Sequence, residues 1–132
     1  ALENPEFLKE AVETFKEKIA VSIDAKNGYV ATEGWTKTSE RQAADFAKEL
    51  EALGVKTIIY TDIAKDGMLA GPNFKELQHI NEHVNINVIA SGGVTTIDDV
   101  RQLKALQLYG AIVGKALYTG DFSLETALKE VE

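Results

Sequence analysis

Four times along this chain a short β-branched or aromatic run gives way to a segment with apolar residues at helical spacing. No other feature of the sequence restricts the fold as much. The runs cover 19–23, 58–60, 86–90 and 111–113, each too short for a helix. The segments between them carry Ala43, Phe46, Ala47, Leu50 and Leu53, then Phe74, Leu77 and Ile80, then Ile97, Val100, Leu103 and Leu106, and last Leu124, Ala127, Leu128 and Val131. Unbroken alternation of strand and helix demands parallel strands joined by right-handed crossovers, hence an α/β fold. One further helix comes first. Asn4-Pro5-Glu6 reads as its start, Phe7, Leu8, Val12 and Phe15 make its apolar face, and Lys16 to Lys18 end it. The expected order is one helix over 1–18 followed by four βα units, all in a single domain over 1–132.

Local signals place the boundaries. The first strand is expected to stop at Asp24, with a long loop over 26–38 after it. Ser39 and Gln42 have the spacing of a capping box, and Gly54 closes the helix they would open. Gly71-Pro72-Asn73 restarts a helix, and Thr96 caps the next. Ala25-Lys26-Asn27-Gly28 after the first strand is echoed by Ala64-Lys65-Asp66-Gly67 after the second, which suggests duplicated units.

A chain of 132 residues can bury one real core. Its net charge of −7, with no basic block, argues against a nucleic-acid partner. Without cysteine there is neither a disulfide framework nor thiol chemistry. No apolar run approaches the ~18 residues of a membrane span, so the expected location is cytoplasmic. The first residue is Ala1, which points to a start that was processed or cut from something longer.

Chemistry gathers where the strands end. The second strand runs through Ile58, Ile59 and Tyr60 into Thr61, Asp62, Lys65, Asp66 and Gly67. The first ends at Asp24. In parallel α/β folds ligands bind at the C-terminal ends of strands. Carboxylates and a hydroxyl facing one cleft can act as acid, base or hydrogen-bond partner. Asp62 suits capping of loop backbone better than Asp24 does. The last two strands end in Gly92-Gly93 and in Gly114-Lys115-Ala116. Glycine lets backbone N–H groups approach an anion, and Lys115 adds charge, so these ends suit a phosphate. Trp35 offers a flat apolar surface for an aromatic ring or a roof for the core. His79 and His83 are four apart on a helix, but no third ligand accompanies them, so no metal site is expected.

The segments SIDAKNGYVATEGW, YTDIAKDGMLAGPN, ASGGV and AIVGKALY, in that order, closely resemble the C-terminal half of the histidine-biosynthesis isomerase family, the phosphoribosylformimino-5-aminoimidazole carboxamide ribotide isomerases. The resemblance covers essentially the whole chain. The cyclase subunit of imidazole glycerol phosphate synthase shares the IDAK and SGG strand ends, but Glu33-Gly34-Trp35 and Thr61-Asp62-Ile63 are more similar to the isomerase. The resemblance implies a (βα)8 TIM barrel built from two similar halves, of which this chain supplies strands five to eight and the helix before them. It implies an Amadori rearrangement of an aminoaldose to an aminoketose, on a substrate with a phosphate at either end, without metal or cofactor. By motif, Asp24, Thr61 and Asp66 are catalytic, with Asp66 favoured as the acid and Asp24 the alternative. Gly67, Gly92, Gly93, Gly114, Lys115 and Ala116 hold the substrate and its phosphate, and Trp35 lies near its base ring. Lys115 stands where arginine is expected, replacing a bidentate fork with a point charge.

The family's other aspartate, on strand one, has no counterpart here. The chain therefore carries an acid without its partner base. Either the missing N-terminal half or a second copy must close the sheet, because an isolated half-barrel leaves its first and last strands as open edges and exposes Ile and Val on its inner face. A half-barrel that binds phosphate without catalysis is the other reading.

Overall fold

A computed structural model describes residues 5–32, 37–65 and 71–131. Helix α1 (Pro5–Phe15) passes through a 3-10 turn (Lys16–Lys18) into strand β1 (Ala20–Lys26). Strands β2 (Tyr29–Thr32) and β3 (Lys37–Gln42) follow, then α2 (Ala43–Ala52), β4 (Thr57–Asp62), α3 (Phe74–His83), β5 (Asn87–Ser91) and α4 (Ile97–Ala105). The chain closes with β6 (Gly110–Ala111), α5 (Lys115–Tyr118) and α6 (Leu124–Val131). The sheet order is β3-β2-β1-β4-β5-β6, with β1, β4, β5 and β6 parallel. These four strands and their helices are the expected βα units.

One face of the parallel strands is sealed by helices. Val21, Ile23 and Ala25 of β1, Ile58 and Tyr60 of β4, and Val88 and Ala90 of β5 alternate onto that face and are buried. Leu8 and Val12 of α1, Leu50 of α2, Ile80 of α3 and Leu103 of α4 share the same core. The opposite face carries Ser22, Asp24, Ile59, Thr61, Ile89 and Ser91. Its two isoleucines are half-buried and the rest of that set is polar, so the expected Ile- and Val-rich inner surface is only partly present.

The stretch expected to be loop over 26–38 is a β-hairpin instead. Asn27 and Gly28 hold φ of 54° and 83°, and Lys26 pairs with Tyr29. Two left-handed residues between paired strands make a type I′ turn, for which Asn-Gly is the favoured dipeptide. Strand β1 consequently runs two residues beyond Asp24. The hairpin also corrects the open first edge, since β2 pairs with β1 at Ala25 and Lys26, leaving the rest of β1 joined to β4 alone.

The Ser39–Gln42 capping box does not form, because Ser39 lies within β3. The first amide of α2 is satisfied by the hairpin turn: Ala43 N donates to the Gly28 carbonyl at 2.8 Å. Thr96 caps α4 as expected, and Asn73 proves to be the cap of the helix that Gly71-Pro72-Asn73 restarts. Asn73 Oδ1 accepts from Glu76 N at 3.2 Å, and Thr96 and Asp99 cap each other reciprocally at 3.1 Å. Each cap contributes about 1 kcal/mol.

At the far edge β6 has only two residues, shifted one position before the expected 111–113. Arg101 of α4 forks onto Glu130 of α6 at 2.9 and 3.1 Å, joining the last two long helices. Between them and β6 lies an open apolar groove of about 450 Å³, lined among others by Val100, Leu103, Tyr109, Leu124, Leu128 and Val131. Among the described residues no helix is long and apolar enough to cross a membrane.

Candidate active site at the ends of the parallel strands

Parallel register decides which side chains meet. Asp24 pairs with Thr61, and Thr61 pairs with Ser91, on the face away from the helices. Adjacent strands lie about 4.8 Å apart, so a carboxylate and two hydroxyls stand in one row across three strands. Thr61 is buried at 8%, while Asp24 and Ser91 are half-buried. Ser22, one inward position earlier on β1, donates through Oγ to Asp24 Oδ1 at 3.5 Å. The row sits at the C-terminal ends of the strands, where α/β barrels place their chemistry.

Beside it the chain leaves β5 through Gly92 and Gly93, with φ of 100° and 81°. Both are buried. A Cβ on Gly93 would lie 2.6 Å from the Gly71 carbonyl oxygen and 3.1 Å from Lys65 Cβ, so only glycine fits. The turn opens a cavity of about 80 Å³ lined by Ser91, Gly92, Gly93, Val94, Ile112, Gly114 and Lys115. That is room for one phosphate group, or for a few waters at about 30 Å³ each.

Four of the expected phosphate-site residues, Gly92, Gly93, Gly114 and Lys115, thus line one cavity next to Ser91. Ala116 does not line it; it is fully buried in the first turn of α5. Asp24 and Thr61 are neighbours in the row, whereas Trp35, Asp66 and Gly67 lie outside the described residues. Ser91 went unassigned from sequence. The signal was available, since it holds on the third strand the place that Asp24 and Thr61 hold on the first two.

Asp62 points to the opposite face from Thr61, in register with Ala25, and is 4% exposed. Its Oδ1 accepts from Ala64 N and its Oδ2 from Asn73 Nδ2, both at 2.9 Å, so it is the backbone-capping carboxylate that its sequence position suggests. Tyr60, two residues earlier, has a buried hydroxyl with no hydrogen-bond partner among the described residues. Burial first, and then the carboxylates of Glu76 and Asp62, push its ionisation well above the ordinary tyrosine range. His79 and His83 stack at 5.6 Å on α3, and among the described residues no cluster of three metal-ligating side chains occurs.

A profile described as histidine biosynthesis protein matches residues 1–123. The chain belongs to that family. Its histidine biosynthesis relatives include a 1-(5-phosphoribosyl)-5-((5-phosphoribosylamino)methylideneamino) imidazole-4-carboxamide isomerase from Oceanobacillus iheyensis, 59% identical over 98% of this chain and 54% of the relative. Proteins of the same description from Acetivibrio thermocellus and Thermoanaerobacter pseudethanolicus are each 58% identical over the same shares. The chain spans about half the length of the curated relatives it matches. The histidine biosynthesis family is one of TIM barrels, and the four parallel βα units found here are half the eight of such a barrel.

Proposed function

We propose that this chain is the C-terminal half of a histidine-biosynthesis isomerase and works within a closed barrel. The observation that carries the reading is the Asp24–Thr61–Ser91 row set directly against the Gly92–Gly93 turn and its cavity. The substrate is a bisphosphorylated aminoaldose. One of its phosphates would occupy the cavity, held by N–H groups of the Gly93 and Gly114 turns, with Lys115 at the rim and Ala116 contributing backbone only. Trp35 would lie near the base ring, and Gly67 would let the loop approach the sugar.

The rearrangement asks little of the protein beyond placed acids and bases. The ring oxygen takes a proton as the bond between the anomeric carbon and that oxygen breaks. A base removes the proton from the sugar's second carbon, giving an enolamine that tautomerises to the aminoketose. No electrons are exchanged with an outside group, so the proposal involves no cofactor. Asp24, in register with Thr61 and Ser91, is taken as the proton donor, and Asp66 would orient the sugar with Thr61, with the reverse assignment as the alternative. The base comes from the complementary half. An exposed β6 edge and the apolar groove beside it support closure by that half, with a second copy as the substitute. A cytoplasmic location accords with this role.

The test compares Asp24→Asn and Asp66→Asn in a mixture of this chain with the N-terminal half of the Oceanobacillus relative. Loss of the proton donor lowers turnover on the order of 10² or more with substrate affinity nearly intact, because acid catalysis acts in the transition state. A greater loss for Asp66→Asn would reverse the assignment. Phosphate binding with no turnover, in a mixture shown to associate, would leave a non-catalytic phosphate-binding module.

A further inference from the structure

The glycine turn after β5 is held from behind by a hydroxyl. Thr95 Oγ1 donates to the Gly93 carbonyl at 2.7 Å. The Thr95 amide is committed elsewhere, donating to Asp99 Oδ2 at 3.0 Å, and the Thr96 amide donates to the same oxygen at 3.1 Å. Asp99 is buried in the first turn of α4. Residue 95 is therefore pinned to that helix by its backbone, while its side chain reaches back to residue 93.

The peptide between Gly93 and Val94 is trans, so its carbonyl and its N–H point in opposite directions. With the carbonyl turned to Thr95, the Val94 N–H is turned away from Thr95. Val94 lines the phosphate-sized cavity and Thr95 does not. Gly92, Gly93 and Val94 are all buried, and among the described residues no acceptor takes the N–H of any of them. Buried N–H groups are nearly always paired, and three successive donors beside a cavity suit an anion. Glycine at 93 is obligatory, because the Gly71 end of the loop before α3 abuts it and a Cβ would meet the Gly71 carbonyl. That same glycine leaves the 93–94 peptide free to rotate. A rotated peptide would aim the Gly93 carbonyl, an acceptor, at a bound phosphate in place of the Val94 N–H.

We infer that Thr95 is a positioning residue whose hydroxyl holds the Gly93 carbonyl outward and so aims the Val94 N–H at the substrate's phosphate. The inference deepens the proposed isomerase reading and rests on its phosphate cavity. Thr95 acts only through the 93–94 peptide. A phosphate remote from the reacting carbons is held equally in ground and transition states, so the effect falls on KM rather than kcat.

The test separates aiming from mere support of the fold. Thr95→Val removes the hydroxyl and keeps the branched shape, whereas Thr95→Ser keeps the hydroxyl. Inorganic phosphate is titrated into this chain while the Val94 amide is followed by NMR. In the unaltered chain that amide should shift on titration. Thr95→Val should weaken phosphate binding roughly 3-fold to 10-fold, the equivalent of one neutral hydrogen bond, and shrink the Val94 shift, and Thr95→Ser should restore both. Thr96→Ala is the structural control: it removes the α4 cap and should lower the urea midpoint with phosphate affinity within about twofold. In the mixture with the N-terminal half of the Oceanobacillus relative, Thr95→Val should raise KM by roughly the factor seen for phosphate, with kcat within about twofold. Unchanged phosphate affinity in Thr95→Val overturns the proposal, as does a loss that Thr95→Ser fails to recover or that Thr96→Ala reproduces. A Val94 amide that ignores phosphate in the unaltered chain overturns it as well. Phosphate binding that depends on Thr95, in a mixture without turnover, would sink the isomerase reading alone.

Discussion

Gly93→Ala should be costly, and its cost can be divided. Gly93 has φ +81°, and a Cβ there would stand 2.6 Å from the Gly71 carbonyl oxygen and 3.0 Å from its carbon. Opening the first contact to 3.0 Å requires a shift of at least 0.4 Å in backbone rather than in a flexible side chain. The left-handed conformation costs alanine about 1–2 kcal/mol, and overpacking against fixed backbone adds about 1–3. Together these come to about 2–5 kcal/mol, a large share of the stability of an ordinary domain. Gly120→Ala is the control. Its φ of +77° matches, but nothing lies within 4 Å of the added Cβ, so only the conformational cost applies. In urea, with a slope of about 2 kcal/mol/M, the midpoint should fall by about 1–2.5 M for Gly93→Ala and by about 0.5–1 M for Gly120→Ala. Equal shifts would mean that the Gly71 carbonyl yields freely, and the argument that the loop end is held against Gly93 would fail.

Other expectations follow from the same geometry. Tyr60→Phe removes a buried hydroxyl without a partner and should leave the chain as stable or more stable at neutral pH, by up to about 1–3 kcal/mol; a clear loss of melting temperature would reveal a hydrogen bond to that hydroxyl. Because the folded state raises the Tyr60 pKa, its share of stability is intact below the unfolded value of about 10 and is lost as pH rises above it. Tyr60→Phe should flatten that alkaline decline in a pH series of urea midpoints, and an unchanged slope would contradict the assignment. Thr96→Ala removes one side of the α4 capping box and should cost about 0.5–2 kcal/mol of unfolding free energy, with a shift below that range arguing that water replaces the cap. The exposed β6 edge and apolar groove predict association, so light scattering should give a mass above 14.4 kDa for the chain alone; a stable monomer would refute this.

The sequence disclosed the elements whose signals are local and repeated. The four βα alternations, the Thr96 cap, and the glycine ends of β5 all rest on residue types with a direct mechanical reason. The hairpin was hidden for a physical cause. Thr38 to Gln42 has no apolar residue, and Ser39 and Gln42 satisfy a helix-start rule equally well. What decides their state is non-local, because Gly28 delivers a carbonyl to Ala43 N across the turn and makes the side-chain cap unnecessary. Asn27-Gly28 between two short strands was the clue that it announced. At the site, Asp24 and Thr61 were legible as strand ends, but their alignment with Ser91 depends on register, which no single strand reveals. Asp62 was legible as a cap, while its second partner, Asn73, lies eleven residues away and required the fold.

Isomerase turnover measured for this chain alone, and again after mixing with the N-terminal half of the Oceanobacillus relative, tests the central claim most directly. Turnover that appears only in the mixture is the predicted result, because the proposed base would come from the complementary half and meet the Asp24 row there. Equal turnover without the partner half would contradict the account, as would an associated mixture that binds phosphate and leaves the aminoaldose unchanged.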